Sequence, residues 1–354
     1  MRPLKAYIYL SHLVNNFIYL KQKHKGVSLA VLKADAYGHG AIRCAQALQE
    51  YADGFAVAFL EEALELRNHG ITNPIILLEG VFSQTEYKAV DHYQLTPVIH
   101  HLQQVEWFLN HIWHNQIDVW IKLDTGMRRA GFMPMEFDNV LTKFKNHSRV
   151  NSIVDMTHFS SADELQSNFT RQQLDRFITT THASGNLKSI CNSSGVLYHP
   201  YAYQDIARIG IALYGLNPIP NIPKDIHLKP VMHLHSEVFS VRELKKGESI
   251  GYGGIFTAPY DMRVGLVACG YADGYPRVSS QDNFVWIDGV QSRVVGRVSM
   301  DMLSVELNRE SQGIGSEVEL WGEHISVSDI ASKANTISHE LLCHLKRAHK
   351  IYIE

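Results

Sequence analysis

The 354-residue sequence predicts an α/β protein: a (β/α)8 barrel over residues 1–225 followed by a mostly β domain over residues 226–354. Three observations carry this expectation. Short apolar runs alternate with helix-period stretches through roughly the first two hundred residues. A proline-rich stretch then interrupts the chain, because proline fits neither a helix interior nor a central strand. Beyond it, helix periodicity nearly vanishes and short β-like runs with glycine turns take over. A doubly wound sheet is the alternative for the first part, but no Gly-x-Gly-x-x-Gly turn supports it.

The elements follow in order. Ser11 is placed to cap a helix reaching about His24, with Leu13, Phe17 and Leu20 facing inward. Eight strand candidates come next, at 27–32, 54–58, 75–78, 95–99, 117–123, 153–157, 187–191 and 206–209. Helical patterns lie between them at 41–51, 60–69, 84–92, 101–114, 134–145 and 168–183. The stretch after Cys191 is too short for a full helix, so the last repeat is degenerate. Pro218, Pro220 and Pro223 mark a linker at 217–223. Further strands are expected at 231–241, 262–268, 284–287, 293–300, 303–307 and 317–320, with one short helix at 338–346.

Composition narrows the function classes. An apolar content of 45% against 19% charged residues predicts a globular protein with a sizeable core. A net charge of −3 excludes a nucleic-acid protein steered by bulk charge. The cysteines, Cys44, Cys191, Cys269 and Cys343, are far apart and form no CxxC, which argues against a zinc site or a disulfide framework. No metal is expected, and a reducing compartment, the cytoplasm, fits. The N-terminus lacks the apolar core of a signal peptide, and no apolar run approaches the length of a membrane span.

The unusual residues fall at strand ends. Lys33 closes the first barrel strand, and a glycine-flanked turn follows. A lysine in such a place can shift its pKa and act as a base or Schiff-base nucleophile. Lys122, Arg128 and Arg129 belong to the end of the fifth strand, His158 to that of the sixth, Asn192 and Ser193 to that of the seventh, and Arg208 to Ile211 to that of the eighth. All belong to the catalytic face of such a barrel, and the last two groups fall where phosphate is usually held. Amides near Gly210, with the Ser193 hydroxyl, suit a phosphate dianion. Lysine plus phosphate site points to pyridoxal phosphate, whose aldehyde forms the Schiff base and whose ring is an electron sink. Taken singly, Arg129 and Arg208 would read as surface ion-pair partners, His158 as a core histidine and Tyr252 as a packed turn aromatic.

Six stretches carry a resemblance: VLKADAYGHG (31–40), KLDTGMRRAGF (122–132), THFSSAD (157–163), DIARIGIALYG (205–215), GYGG (251–254) followed by GYADGYPR (270–277), and VGRVSMD (295–301). Together and in this order they resemble the alanine racemases, fold-type III pyridoxal-phosphate enzymes, over nearly the whole chain. The resemblance implies interconversion of L- and D-alanine, supplying D-alanine for peptidoglycan precursors. Lys33 matches the lysine that holds the cofactor and serves as one base, and Tyr252 matches the second base. Tyr37, Ser193 and the amides of Gly210 and Ile211 match phosphate ligands, with Asn192 beside them. Arg208 matches the arginine facing the pyridine nitrogen, and His158 the histidine that buttresses it. Arg129 and the Met300 amide match contacts to the substrate carboxylate. Lys122 matches a lysine often carbamylated in the family, and Tyr271 and Asp301 match positions lining the way in. In the family the catalytic tyrosine comes from the partner subunit, so a homodimer with Tyr252 supplied in trans is expected, with no nucleic acid or membrane as partner.

Four departures from the family pattern stand out. Arg128 occupies a position usually held by glycine. Ile209 replaces a common proline. The chain end diverges from the usual Arg-Val-Pro-Arg pattern. His339 stands where a phosphate-binding tyrosine is usual. A racemase of serine or another small amino acid is the alternative reading, and a non-catalytic pyridoxal-phosphate protein a further one. The presence of the second domain with Tyr252 argues against the latter.

Overall fold

The structure, a computed structural model, describes residues 2–219, 226–277 and 283–354. It contains two compact units. One comprises Leu13–Ala36 and Gly40–Leu228, the other Met1–His12, Tyr37–His39 and Lys229–Glu354.

The first strand, β1 (Lys5–Tyr9), was not expected, and it belongs to the second unit. The first unit then builds a closed parallel barrel from β2 (Val27–Val31), β3 (Gly54–Val57), β4 (Ile75–Leu77), β5 (Thr96–Ile99), β6 (Ile117–Lys122), β7 (Val150–Met156), β8 (Leu187–Ser189) and β9 (Ile206–Ile209). Its strands are the eight apolar runs, mostly shortened at their carboxyl ends, where the chain leaves the ladder and turns outward. Closure comes from β2 pairing with both β3 and β9. Apolar residues on both faces are required, since helices cover the outside of a parallel barrel. Phe55, Ala56 and Val57 are fully buried, as are Leu13, Phe17 and Leu20 of the helix Leu10–His24. That helix starts before Ser11, so Ser11 lies inside it and is not its cap. Between β4 and β7 the outer layer is aromatic: Tyr87, Phe108 and Trp113 pack mutually at 4.5–5.6 Å between ring centroids.

The second unit is a mostly antiparallel sheet. Its strands are β10 (Met232–Leu244), β11 (Ser249–Ile250), β12 (Phe256–Thr257), β13 (Met262–Val267), β14 (Phe284–Ile287), β15 (Val290–Val295), β16 (Leu303–Leu307), β17 (Glu317–Trp321) and β18 (His349–Ile353). The main sheet runs β13-β16-β15-β14-β17-β10-β1-β18, and β10 also pairs with β13. The long strand β10 serves both partners by a register shift between Val238 and Ser240. Such a bulge bends a strand so that its two halves can lie in different ladders. Phe256, Ala258, Met262, Val264 and Val295 form a core at that end. The helices Val327–Lys333 and Ser338–His344 complete the unit, the first of them unforeseen.

The boundary at residue 225 therefore needs a correction at the other end of the chain. Residues of β1 pair antiparallel with β10 and parallel with β18. Leu4, Ala6 and Ile8 are buried there, an every-second-residue pattern that fits a half-buried strand. Part of the proline linker, Pro220 to Pro223, lies outside the described residues.

Asp273 fastens this arm. It closes a turn by accepting from the Gly270 amide at 2.9 Å. Its carboxylate, fully buried, also takes both Nη groups of Arg2 at 2.7 and 3.1 Å. Arg347 approaches it at 3.3 Å. Removing the carboxylate leaves the Gly270 amide without its acceptor and two part-exposed guanidinium groups without their partner. Asp273→Ala is expected to destabilise the protein by about 1–3 kcal/mol, and Arg347→Ala, at a half-exposed residue, by less than about 1 kcal/mol. Urea unfolding followed by tryptophan fluorescence measures both; equal losses would contradict the dominance of the Arg2 pair.

Candidate active site

The carboxyl ends of the barrel strands gather the cations. Arg208 lies on β9 and is 3% exposed. Its Nη1 donates to Ser189 Oγ at 2.5 Å, and its Nη2 to the Thr157 carbonyl at 2.8 Å and the Ile190 carbonyl at 3.3 Å. Nη2 also meets His158 Nδ1 at 3.2 Å. Arginine has donors only, so Nδ1 must accept and the ring proton sits on Nε2. Desolvation, then the charges of Arg208, Arg129, Lys122 and Lys33, all push the His158 pKa well below 6.5, which keeps the ring neutral. Burial lowers the Arg208 pKa only to about 10, so it stays charged.

Lys33 follows β2 and opens a left-handed helical turn. Ala34, Asp35, Ala36 and Tyr37 have φ of 54°, 54°, 53° and 51°. Each non-glycine residue in this region costs about 1–2 kcal/mol, so the turn has to be held by its surroundings. Glu62 does much of this. Its carboxylate accepts from the amides of Ala34 (2.6 Å), Ala58 (2.7 Å) and Phe59 (3.1 Å), tying the end of β2 to the end of β3. Asp35 adds bonds from the Gly40 and Ala41 amides at 2.9 and 2.8 Å. The sequence reading missed Glu62, although its place as the third residue of the helix Leu60–Asn68 is a capping position. It also missed Gln173, a fully buried amide that donates to Thr125 Oγ1 and the His158 carbonyl and joins the loops after β6 and β7.

Lys122, at the end of β6, is 5% exposed. Its pKa falls to about 8 through burial; Glu79 opposes the shift, and Arg129, Arg208 and Lys33 reinforce it. Lys33, Lys122, Arg129, His158 and Arg208 thus share one electrostatic neighbourhood. Ser193 and Gly210 also meet. The Ser193 hydroxyl oxygen accepts from the amides of Gly210 at 3.0 Å and Ala212 at 3.2 Å, with Ile211 between them. Asn192 caps the short helix Ser193–Tyr198 by accepting from the Gly195 amide at 2.9 Å. Four cations beside a hydroxyl-and-amide cradle, with Glu79 as the opposing carboxylate, fit a ligand with a phosphate and a second anionic group.

The remaining expected residues lie on the second unit. Tyr37 is buried there, and its ring lies 5.7 Å from that of His339, so these two are brought together. Burial raises the Tyr37 pKa, and the phenol stays a neutral donor. Gly38, at φ 79°, passes under the helix Ser338–His344, and a Cβ there would overlap the Leu342 carbonyl oxygen. Tyr252 is 66% exposed in a turn whose glycines 251, 253 and 254 all have positive φ. The Arg297 guanidinium lies against Gly253. The Tyr271 and Ala272 amides donate to the Ser299 and Met300 carbonyls at 3.0 Å, and Asp301 accepts from Arg347 at 3.1 Å.

A family model described as alanine racemase, N-terminal domain, matches residues 8–218, and one described as alanine racemase, C-terminal domain, matches residues 231–352. The alanine racemase of Neisseria meningitidis serogroup A is 47% identical over 354 residues, covering 100% of both chains. That of an Azoarcus species is 48% identical over 348 residues, 98% of each. The crystal structure of the biosynthetic alanine racemase from Pseudomonas aeruginosa superposes with a TM-score of 0.97 at 39% identity, covering 100% of both chains. The chain belongs to the alanine racemase family.

For an alanine racemase, Arg128 is the departure with a structural consequence. Its φ is 58°, in the left-handed region that favours glycine, which accounts for the residue expected there. Asp124 Oδ1 holds the strained turn by accepting from the Gly126 and Arg128 amides at 2.8 and 3.1 Å. The exposed guanidinium is turned toward Met133, with Nη1 2.9 Å from the sulfur. Ile209, in the place of a common family proline, pairs with Ala30 in the barrel ladder.

The depressed lysine has a pH signature. An unfolded lysine keeps its proton to about pH 10.4, whereas folded Lys122 loses it near 8. Between those values the unfolded state binds more protons, so stability rises with pH. The full shift corresponds to about 3 kcal/mol. Lys122→Met should flatten that rise in denaturant midpoints measured from neutral to alkaline pH; an unchanged slope would refute the buried-ammonium account.

Proposed function

We propose that this protein racemises alanine with pyridoxal phosphate, Lys33 holding the cofactor and Lys33 and Tyr252 acting as the two bases. The observation that carries this reading is the cluster of Lys33, Lys122, Arg129 and Arg208 at the barrel mouth beside the Ser193–Gly210 cradle. When bound, the cofactor supplies an aldehyde for the substrate amine and a ring that draws electron density from Cα. The Ser193 hydroxyl, the Gly210 and Ile211 amides and the Tyr37 phenol would hold its phosphate, with His339 in place of the family tyrosine. Arg208 would donate a hydrogen bond to the ring nitrogen and keep its own proton, which limits electron withdrawal and suppresses side reactions. Its guanidinium is already locked by Ser189, Thr157, Ile190 and neutral His158, so it cannot turn away.

Racemisation removes a proton from one face of Cα and returns one to the other. Lys33 would serve one face and Tyr252 the other, with Arg129 and the Met300 amide holding the substrate carboxylate. Tyr271 and Asp301 would line the way in. Lys122 has enough free amine near neutrality to react with carbon dioxide; the resulting carbamate would orient Arg129. The role would be to supply D-alanine for peptidoglycan precursors in the cytoplasm, and cysteines that are far apart in sequence suit a reducing compartment. Among the described residues no helix is long and apolar enough to cross a membrane.

The holoenzyme should convert L-alanine to D-alanine faster than any other member of a panel of L-amino acids. Lys33→Ala should lose the cofactor's absorbance band and activity by about 10³-fold or more. A preference for serine would support the other racemase reading, and no D-isomer from any substrate would support the non-catalytic one.

The second part of the proposal is a homodimer in which Tyr252 of one subunit serves Lys33 of the other. Exposure of Tyr252, with Ile255, Met300 and Met302 also exposed on the same unit, favours a covering partner. Mixing inactive Lys33→Ala and Tyr252→Phe chains should restore up to about a quarter of native activity, since half of the dimers are hybrids with one intact site. Inactivity despite demonstrated subunit exchange would rule out the shared site.

A further inference from the structure

We propose that His233, His235 and Glu319 form a binding site for one divalent first-row transition ion, with zinc as the reference ion, on the sheet of the second unit. The site is separate from the racemase residues and does not rest on that reading. His233 and His235 are two residues apart on β10, so both rings stand on one face of the sheet. Glu319 lies opposite His235 in the β10–β17 ladder. One possible ligand atom from each of the three falls within 4.8 Å of the others. Zinc bonds to imidazole and carboxylate of about 2.0–2.2 Å put tetrahedral ligand pairs about 3.3 Å apart, a closure that side-chain rotation can make.

Each ligand is prepared in a different way. His233 is 7% exposed, and its Nε2 is buried without a hydrogen-bond partner among the described residues. Such an atom is costly to leave unpaired, and a metal ion is a partner it could take. Its ring packs against Tyr9, 4.6 Å away between centroids, and against Gly322, where a Cβ would sit 2.8 Å from the imidazole. His235 Nδ1 meets Glu317 Oε1 at 2.7 Å. A carboxylate on Nδ1 fixes the tautomer that leaves the Nε2 lone pair for a metal. Glu319 is 5% exposed, and the His324 ring and the His324 and Ile325 amides hold its oxygens at 2.8–3.0 Å. These bonds orient the carboxylate and leave lone pairs for coordination.

Two imidazoles and a carboxylate select zinc and its neighbours over calcium or magnesium, which take all-oxygen sites. The fourth position would hold water. The ion would act as a clip between β10 and β17 and would stiffen the unit that carries Tyr252.

The test uses metal-free full-length protein. Zinc titration by calorimetry should saturate at one ion per chain, and Co2+ should give the intense visible bands of a four-coordinate site. Zinc should also raise the thermal midpoint. His235→Phe and His233→Phe keep ring volume and should each weaken binding by about tenfold or more and remove the midpoint shift, with racemase activity unchanged. If His233→Phe does not fold, Glu317→Gln reads the same site through the orientation of His235. Zinc affinity equal in the native protein and the His235→Phe and Glu317→Gln variants, or no binding in the native protein, would overturn the proposal.

Discussion

The buried Arg208 guanidinium is the constraint around which the barrel mouth is arranged. A permanent charge that is 3% exposed has to be met by acceptors, and here they come from two strand ends: Thr157 and His158 after β7, Ser189 and Ile190 at β8. Satisfying it fixes the relative heights of β7, β8 and β9. It also bears on its neighbours. His158 must accept, so its proton sits on Nε2, and burial, reinforced by the Arg208 charge, keeps that ring neutral and lowers the Lys122 pKa.

The second constraint is mechanical. A turn of four non-glycine residues in the left-handed region is unfavourable by itself, and it sits immediately after Lys33. The Glu62 carboxylate, bonded to three amides from two strand ends, compensates locally. At the far end of the turn, Gly38 lets the chain pass beneath the Leu342 carbonyl, which no other residue could do. The strain buys a fixed Lys33 backbone without a long loop.

The second unit shows a different economy. Its long strand β10 bends at a bulge to pair with β17 on one stretch and β13 on the next, and β1, from the other end of the sequence, closes its flank. The Arg2–Asp273 pair fastens this arm close to Tyr271, so the N-terminal residues help to hold a segment named from the family pattern. His339 reaches the Tyr37 ring, so the substitution of the family tyrosine keeps an aromatic contact there, with an imidazole as the polar group.

The sequence by itself determined the architecture, because the information is local. Eight apolar runs at regular spacing specify a parallel barrel wherever helices cover it, and the change to short strands after the prolines specifies the second unit. It also named Lys33, Lys122, Arg129, His158 and Arg208, since each sits at the end of a recognisable strand. What it could not carry is pairing across long separations. The first residues were counted with the barrel, and only the ladders of β1 with β10 and β18 assign them to the other unit. Glu62 and Gln173 read as ordinary helix residues until the fold brings strand-end amides and loop carbonyls to them. Arg128 was visible as an oddity, but the reason glycine suits that position is a φ of 58°, a property of the folded backbone. The His233–His235–Glu319 group was invisible to a search for cysteine spacing, because its third member arrives from a strand more than eighty residues away. Period and composition are written along the chain; the hydrogen-bond partners of a buried charge are decided only when distant strands meet.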